Sequence, residues 1–167
     1  VVALSANKNG KRLVKQAKKY HPDSVAIIDT NEATYVESAL KNLNISILKG
    51  REGLLELSSR NDLDIMMNGL VGSSGMEPTL NAIQAGVDVA LSNKESLVMA
   101  GDIIRVEKEK SGAQLFPIDS EHSAIWQCLV GEKMDQVKRL ILTGSGGPFR
   151  TLEKTKFTTI TKAQALK

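Results

Sequence analysis

Two carboxylates, Asp119 and Glu121, stand two positions apart at the end of a short apolar run. Hard divalent cations such as Mg²⁺ prefer oxygen ligands, usually one or two carboxylates together with waters and substrate oxygens. If Asp119 is the last extended residue, both side chains can face one crevice, which makes the pair a candidate metal site. The alternative is helix capping, with Asp119 as the N-cap and Glu121 in the first turn, and the spacing alone favours capping.

A lysine at the start of a predicted helix is the second unusual feature. In the segment Asn93-Lys94-Glu95-Ser96, Asn93 is a good N-cap and Glu95 suits the first helical turn. Lys94 places a cation at the positive end of the helix dipole, which is mildly unfavourable. We therefore expect it to face a negative group: a substrate phosphate, a developing oxyanion, or the carboxylates of Asp119 and Glu121.

A glycine-rich turn, Gly144-Ser145-Gly146-Gly147, follows a predicted strand. Small residues let successive backbone N–H groups converge on an anion such as phosphate, and the Ser145 hydroxyl would add a donor. Glycine-rich turns are also common without any ligand, so a plain tight turn before Pro148 remains the alternative.

Two further loops have features of nucleotide binding. Glycines recur at every third position from Gly69 to Gly75, between a predicted strand and a helix, which is a weak version of the dinucleotide fingerprint. Lys8, flanked by Asn7 and Asn9, follows the first strand, where dinucleotide enzymes contact the adenosine ribose. A lysine with no acid there favours the 2′-phosphate of NADP, and a solvated loop is the alternative.

The composition excludes several classes of protein. The 167 residues contain one cysteine and two histidines, which excludes an internal disulfide framework, a structural cysteine zinc site and a histidine-rich metal site. The net charge of +3 is too small and dispersed to indicate a nucleic-acid partner. No apolar run is long enough to span a bilayer. His122 has no triad partners and is either a crevice residue or part of a capped helix, and Trp126 and Cys128 are expected to pack.

Short apolar runs alternate with amphipathic segments along the chain. The runs do not alternate between polar and apolar residues, as expected for strands covered on both faces. We predict an α/β fold with a doubly wound, mainly parallel sheet and right-handed crossovers. The predicted strands are 1–5, 25–29, 45–48, 64–68, 87–91, 113–118 and 137–142. The predicted helices are 10–20, 31–43, 51–59, 76–85, 93–110, 120–129 and 161–166.

Three motifs in order, Asn93–Ser96, Pro117–Ile125 and Thr143–Arg150, resemble the 1-deoxy-D-xylulose 5-phosphate reductoisomerase family. Val1–Leu4 followed by Asn7–Asn9 resembles the second strand of that family's NADPH domain. The resemblance implies a Rossmann-like NADPH domain that runs into a catalytic domain. It also implies an enzyme that converts 1-deoxy-D-xylulose 5-phosphate into 2-C-methyl-D-erythritol 4-phosphate, using NADPH and Mg²⁺, Mn²⁺ or Co²⁺, in the non-mevalonate route to isoprenoids. Such an enzyme would be a homodimer in the bacterial cytoplasm or the plastid stroma, with a sugar phosphate as substrate and no nucleic-acid or membrane partner.

The resemblance also implies roles for individual residues. Asp119 and Glu121 become metal ligands, which overturns the capping interpretation, and with Lys94 they form the catalytic group. Lys94, Ser120 and Glu121 would contact substrate oxygens, and Ser145 would hold the substrate phosphate. The cofactor would contact Asn93 and Glu95, and its adenosine end would contact Asn7, Lys8 and Asn9.

The resemblance places residues 1–112 in the NADPH domain and residues 113–167 at the start of the catalytic domain. The chain opens on a buried strand and stops inside a helical pattern. We therefore expect residues to be missing on both sides; a complete small domain with frayed ends is the alternative. The resemblance implies that a first strand with a glycine-rich turn precedes Val1 and that the rest of the catalytic domain follows Lys167. The 167 residues alone are expected to be inactive. The rival functions are another NADP-dependent dehydrogenase, which leaves the acid pair with Lys94 unexplained, and a non-catalytic nucleotide or phosphate-binding module.

Overall fold

The computed structural model describes residues 1–141 and 147–166, which fold as two compact units, Val1–Ser123 and Ala124–Lys167. Strands and helices alternate strictly through the first unit, as the apolar pattern predicts. The strands are β1 (Ala3–Ala6), β2 (Ser24–Ile27), β3 (Ser46–Lys49), β4 (Ile65–Asn68), β5 (Asp88–Leu91) and β6 (Leu115–Pro117). The helices are α1 (Gly10–Tyr20), α2 (Ala33–Leu40), α3 (Gly50–Ser58), α4 (Met76–Gln84), α5 (Lys94–Ser111), α6 (Ser120–Leu129) and α7 (Lys162–Ala165).

All strand pairs are parallel, and they form two three-stranded sheets with the orders β1-β2-β3 and β4-β5-β6. Every residue of β2 is buried, although successive side chains point to opposite faces. Helices must therefore cover both faces of this strand. Val25 and Ile27 pack with the apolar faces of α1 and α2, and α3 also packs against β2.

The second sheet has a core of its own. Val89 and Leu91 of β5 are buried against Ala82 and Ile83 of α4 and against Ile104 of α5. The backbone of α5 is kinked where Ala100 leaves the helical region at φ −141°, one residue before a glycine. The short segment before the kink carries the residues of the Asn93–Ser96 motif.

The α/β class, the parallel strands and the flanking helices of the sequence prediction are confirmed. The predicted strand 137–142 is wrong over its described part, because residues 137–141 form no strand. Leu140 and Ile141 are 55% and 67% exposed, and neither pairs with a strand within the described residues. Among the helices of the described ranges, none is long and apolar enough to cross a membrane.

The second unit contains most of α6, a series of short 3₁₀ turns and α7. None of its described residues is buried. Trp126 and Cys128, which were expected to pack, are both exposed here. The predicted boundary between an NADPH domain, residues 1–112, and the start of a catalytic domain, residues 113–167, stays a prediction.

Candidate functional site

Strands β5 and β6 pair directly, with Leu91 opposite Pro117. Because the strands are parallel, their carboxyl ends meet at one edge of the sheet, and the loops that follow them lie side by side. Lys94 begins the helix after β5, and Asp119 follows β6. Both side chains line one cavity of about 210 Å³. The rest of the lining is mainly apolar: Leu91, Leu97, Leu115, Pro117 and His122.

Asp119 caps α6 and is also held by the ring of His122. Its Oδ2 accepts a hydrogen bond from the backbone N–H of His122 at 3.2 Å, and the ring Nδ1 of His122 lies 2.6 Å from the same oxygen. Burial raises the pKa of Asp119, but the hydrogen bonds from His122 and the positive charge of Lys94 outweigh it, so the pKa lies below its ordinary value. The carboxylate is therefore ionised at neutral pH, and the Asp119 side chain is 10% exposed.

Glu121 lies two residues further along α6 and pairs with Lys94. The Lys94 Nζ is 3.6 Å from Glu121 Oε2, and the two side chains are 50% and 43% exposed. An ion pair this exposed contributes little to stability, so a ligand can separate it at small cost. Lys94 thus faces carboxylates, one of the three kinds of negative group that were expected near a lysine at the helix start.

The donor set fits a hard cation that keeps waters and substrate oxygens in its coordination sphere. Asp119 and Glu121 supply two carboxylates on one helix start, and both hydrogen bonds from His122 go to the Oδ2 atom of Asp119. In residues 1–141 and 147–166, no group of three or more His, Cys, Asp or Glu side chains is arranged to hold a metal ion. Asp119 and Glu121 are thus the described carboxylates that could hold Mg²⁺ or Mn²⁺ at this position.

Asn93 is almost fully buried, with 1% of its surface exposed, and it uses all four of its hydrogen-bonding positions inside the protein. Its Oδ1 accepts from the backbone N–H of Ser96 at 2.9 Å and from the Ser96 hydroxyl, which caps α5. Its Nδ2 donates to the carbonyl oxygens of Leu70 at 2.7 Å and Gly72 at 2.8 Å. The side chain is thus saturated by protein partners, and its capping role is as the sequence predicts.

A second cavity, of about 300 Å³, lies at the carboxyl end of β1 and is lined by Lys8, Asn9, Gly10, Lys11 and Glu32. The Asn9 side chain accepts from the backbone N–H of Arg12 at 2.9 Å and so caps α1. Lys8 and the exposed Asn7 precede it in the same loop. Two cations at the mouth of this cavity suit an anionic group, while the Glu32 carboxylate places one negative charge there.

The remaining predicted residues are placed as follows. Ser120 and Glu95 are exposed in the first turns of α6 and α5. Ser145 lies outside the described residues, so its predicted phosphate contact stays a prediction. Sequence reasoning left His122 open and did not single out Lys11. The spacing of His122, three residues after an N-cap aspartate, is the signal that points to their contact.

The parallel sheets and the strand-end site define a Rossmann-like α/β protein that carries an acid–lysine group beside a cavity. Residues 1–101 match the family model described as 1-deoxy-D-xylulose 5-phosphate reductoisomerase, and residues 115–167 match that of the same enzyme's C-terminal domain. The chain therefore belongs to the 1-deoxy-D-xylulose 5-phosphate reductoisomerase family.

Individual relatives agree with this assignment. The chain is 48% identical over 163 residues to the 1-deoxy-D-xylulose 5-phosphate reductoisomerase of Chloroherpeton thalassium, covering 98% of this chain and 42% of that protein. It is 40% identical over 167 residues to the enzyme of Bacteroides fragilis, covering 100% of this chain and 43% of that protein. The chain thus spans less than half the length of these curated relatives.

Solved structures match over the same extent. The Zymomonas mobilis reductoisomerase in complex with NADPH superimposes with a TM-score of 0.84 at 38% identity, covering 100% of this chain and 44% of that one. A reductoisomerase in complex with NADPH, fosmidomycin and magnesium superimposes with a TM-score of 0.80 at 32% identity, covering 99% and 43%.

Proposed function

We propose that the protein carrying this chain is an enzyme that isomerises and reduces 1-deoxy-D-xylulose 5-phosphate to 2-C-methyl-D-erythritol 4-phosphate, with NADPH and Mg²⁺ or Mn²⁺ as cofactors. In this proposal residues 1–112 bind NADPH and residues 113–167 begin the region that binds metal and substrate. One observation carries it: Lys94, Asp119 and Glu121 meet at the ends of two paired strands, beside an apolar-walled cavity.

The chain's own residues perform distinct parts of such a reaction. When bound, NADPH supplies the hydride and the divalent ion supplies Lewis-acid polarisation of the substrate carbonyl. Asp119 and Glu121 would hold the ion, and His122 keeps Asp119 in place and ionised. The Lys94 ammonium stabilises negative charge that develops on the substrate oxygen.

The shape of the site supports the same chemistry. The apolar wall formed by Leu91, Leu97, Leu115 and Pro117 excludes water from one side of the cavity, which strengthens the electrostatic interaction of Lys94 with a bound oxyanion. Ser120 is exposed at the first turn of α6, where its hydroxyl is available to a substrate oxygen. The substrate phosphate contact of Ser145 is part of the proposal and anchors the group that does not react.

The cavity at the end of β1 is proposed to receive the adenosine end of NADPH. Lys8 and Lys11 at its mouth favour the 2′-phosphate that distinguishes NADPH from NADH. Asn7 and Asn9 would contact the same end, and Asn93 and Glu95 would lie nearer the nicotinamide. We further propose that the whole protein is a homodimer in the bacterial cytoplasm or the plastid stroma, a location that the bacterial relatives support.

The proposal is tested with the complete natural chain that contains these residues. Mixed with 1-deoxy-D-xylulose 5-phosphate, NADPH and Mg²⁺, it should consume NADPH and form the branched tetritol phosphate, and the reaction should fail without any one of the three. NADPH oxidation that needs no metal would indicate another NADP-dependent dehydrogenase. Binding without oxidation would indicate a non-catalytic nucleotide-binding module. Light scattering of the same sample tests the homodimer.

A further inference from the structure

The loop that joins β4 to α4, residues 69–75, is held in a fixed shape by buried side chains on either side of it. The loop contains Gly72 at φ +69°, a backbone conformation that favours glycine. It leads into α4 through a short 3₁₀ turn, Gly72–Gly75. Its glycine spacing is a weak version of the dinucleotide fingerprint, and a turn of that kind binds a nucleotide only if its backbone is correctly placed.

Asn93 holds the loop from the β5 side. Its two amide hydrogens are directed at the carbonyl oxygens of Leu70 and Gly72, while its oxygen caps α5. The fit between the two segments is close, because a Cβ added at Gly75 would lie 2.7 Å from Asn93 Cγ. The same side chain therefore fixes both the loop and the helix that starts with Lys94.

Asn68 holds the loop from the β4 side and is 3% exposed. Its Oδ1 accepts from the backbone N–H of Leu70 at 3.0 Å. Its Nδ2 donates to the carbonyl of Gly75 at 2.8 Å and to the Thr79 hydroxyl at 2.7 Å. Two buried asparagines at the ends of neighbouring strands thus bind both ends of one loop.

Arg51 of α3 completes the arrangement at the outer end of the loop. Its Nη1 donates to the carbonyl of Ser74 at 2.7 Å, and its Nη2 pairs with Glu77. Between these fixed points the Val71 side chain remains 85% exposed at the carboxyl ends of the strands. The loop is therefore held mainly through its carbonyl oxygens, with one further bond from the Leu70 N–H, and the exposed Val71 leaves its outer surface open to a ligand.

We propose that Asn68 and Asn93 are positioning residues for the nicotinamide cofactor, acting through the backbone of the 69–75 loop and not as ligands through their own side chains. This inference rests on the proposed function for the identity of the cofactor. Its physical basis is preorganisation: a loop already fixed in its bound shape does not lose conformational entropy when NADPH binds. The saturated hydrogen bonding of Asn93 leaves its side chain no donor or acceptor for the cofactor.

The decisive variant is Asn93→Ser in the complete natural chain. Serine is also a good N-cap, so α5 and Lys94 stay in place, but the two bonds to the loop are lost. The matched control is Ser96→Ala, which removes a buried hydroxyl bonded to the same Asn93 oxygen and leaves the loop bonds intact. Asn93→Ser should weaken NADPH binding about tenfold, as expected from two lost neutral hydrogen bonds, and change the KM for the sugar phosphate less than about twofold.

Amide hydrogen exchange without nucleotide tests the loop by itself. Exchange across residues 69–75 should become faster in Asn93→Ser and stay near the wild-type rate in Ser96→Ala. Gly75→Ala, whose added methyl group pushes against the Asn93 side chain, should likewise weaken NADPH binding and speed amide exchange across the loop. Its control is Gly101→Ala, where an added Cβ meets nothing within 4 Å.

Equal NADPH affinity in Asn93→Ser and Ser96→Ala overturns the inference, whether both bind as tightly as wild type or both are weakened alike. Unchanged exchange of the loop in Asn93→Ser and in Gly75→Ala also overturns it. A wild-type chain that binds no NADPH overturns the proposed function, and this role with it. If wild type binds NADPH and Asn93→Ser binds it with the same affinity, only the positioning role is overturned.

Discussion

Asp119 combines two tasks that a single substitution can separate. It caps α6 through a hydrogen bond to the backbone N–H of His122, and it carries the negative charge proposed to hold the metal ion. Asparagine caps helices as well as aspartate does, but it is a neutral and weaker metal ligand. Asp119→Asn should therefore lower kcat by at least about 100-fold in the complete protein, the upper end of what outer-shell changes cost, while the melting temperature stays nearly unchanged.

Asp119→Ala is the control for the capping of α6. It should lose the activity and, in addition, about 1 kcal/mol of stability from the missing cap. Thermal unfolding of the two variants beside steady-state kinetics separates the tasks. Full activity in Asp119→Asn would mean that the carboxylate serves only as a cap, which is what its spacing alone favours.

At the same scale, the sequence could predict which residues meet but not how they are held. Lys94, Asp119 and Glu121 were predictable because parallel strands deliver the residues after them to one edge. The spacing of His122 from the N-cap allows a contact with Asp119, but whether the ring reaches the carboxylate depends on side-chain rotamers that the sequence does not show. Asn68 gave no signal at all, since its partners are backbone groups whose positions depend on the folded loop.

Among the elements, helix α3 lies close against strand β3 at Gly53. A Cβ added at Gly53 would lie 2.9 Å from the backbone carbon and the Cβ of Leu48, atoms that cannot move aside cheaply. Gly53→Ala should therefore destabilise the protein by about 1–3 kcal/mol through overpacking, although alanine favours a helix. Urea denaturation measures this change. Gly101→Ala on α5, where the added methyl meets nothing, should cost little, and an equal loss in both variants would contradict the steric explanation.

Arg60 links elements of the two sheets. It donates to Asp23 at 2.8 Å and Ser24 at 2.6 Å at the start of β2, and to Asp62 just before β4 at 2.8 Å. Hydrogen bonds from Arg60 hold the pKa values of Asp23 and Asp62 below the ordinary value of 3.8. A carboxyl group whose pKa is lowered in the folded state stabilises the protein at any pH above the ordinary pKa of that group. This stabilisation is lost as the pH falls through the lowered pKa of the folded state.

Arg60→Gln should therefore lower the urea midpoint at neutral pH and reduce the loss of stability as the pH is brought below 3.8. Urea titrations at both pH values measure the difference. Arg105→Gln is a suitable control, because its pair with Glu109 is 64% exposed on both sides and should contribute almost nothing. If the free energy of unfolding falls equally with pH in Arg60→Gln and in wild type, this network is not the source of the pH dependence.

The type of most helices and strands could be predicted from the local sequence pattern. The prediction failed where a segment becomes a strand only if a partner strand is present. Mainly apolar runs such as 87–91 indicate buried parallel strands even where they include a charged residue such as Asp88, and the observed β5 lies within that run. The segment 137–142 ends on three apolar residues after Lys138 and Arg139, yet its described part, 137–141, pairs with no strand of the described residues. Strand propensity reflects packing against neighbours, and a single sequence does not show which neighbours exist.

In the molecule as a whole, the residues proposed for the adenosine end of NADPH and those proposed for the metal ion lie at the ends of different sheets. The cavity after β1 contains Lys8 and Lys11, and the cavity beside β5 and β6 contains Lys94 and Asp119. Chelation of divalent metal by EDTA should therefore abolish turnover but leave the Kd for NADPH within about twofold, since the lost charge is far from the adenosine end and is screened in solution. Tryptophan fluorescence or calorimetry gives the Kd, and added Mg²⁺ should restore turnover. NADPH binding that disappears with the metal would mean that both ligands share one site, against the separation of the two cavities.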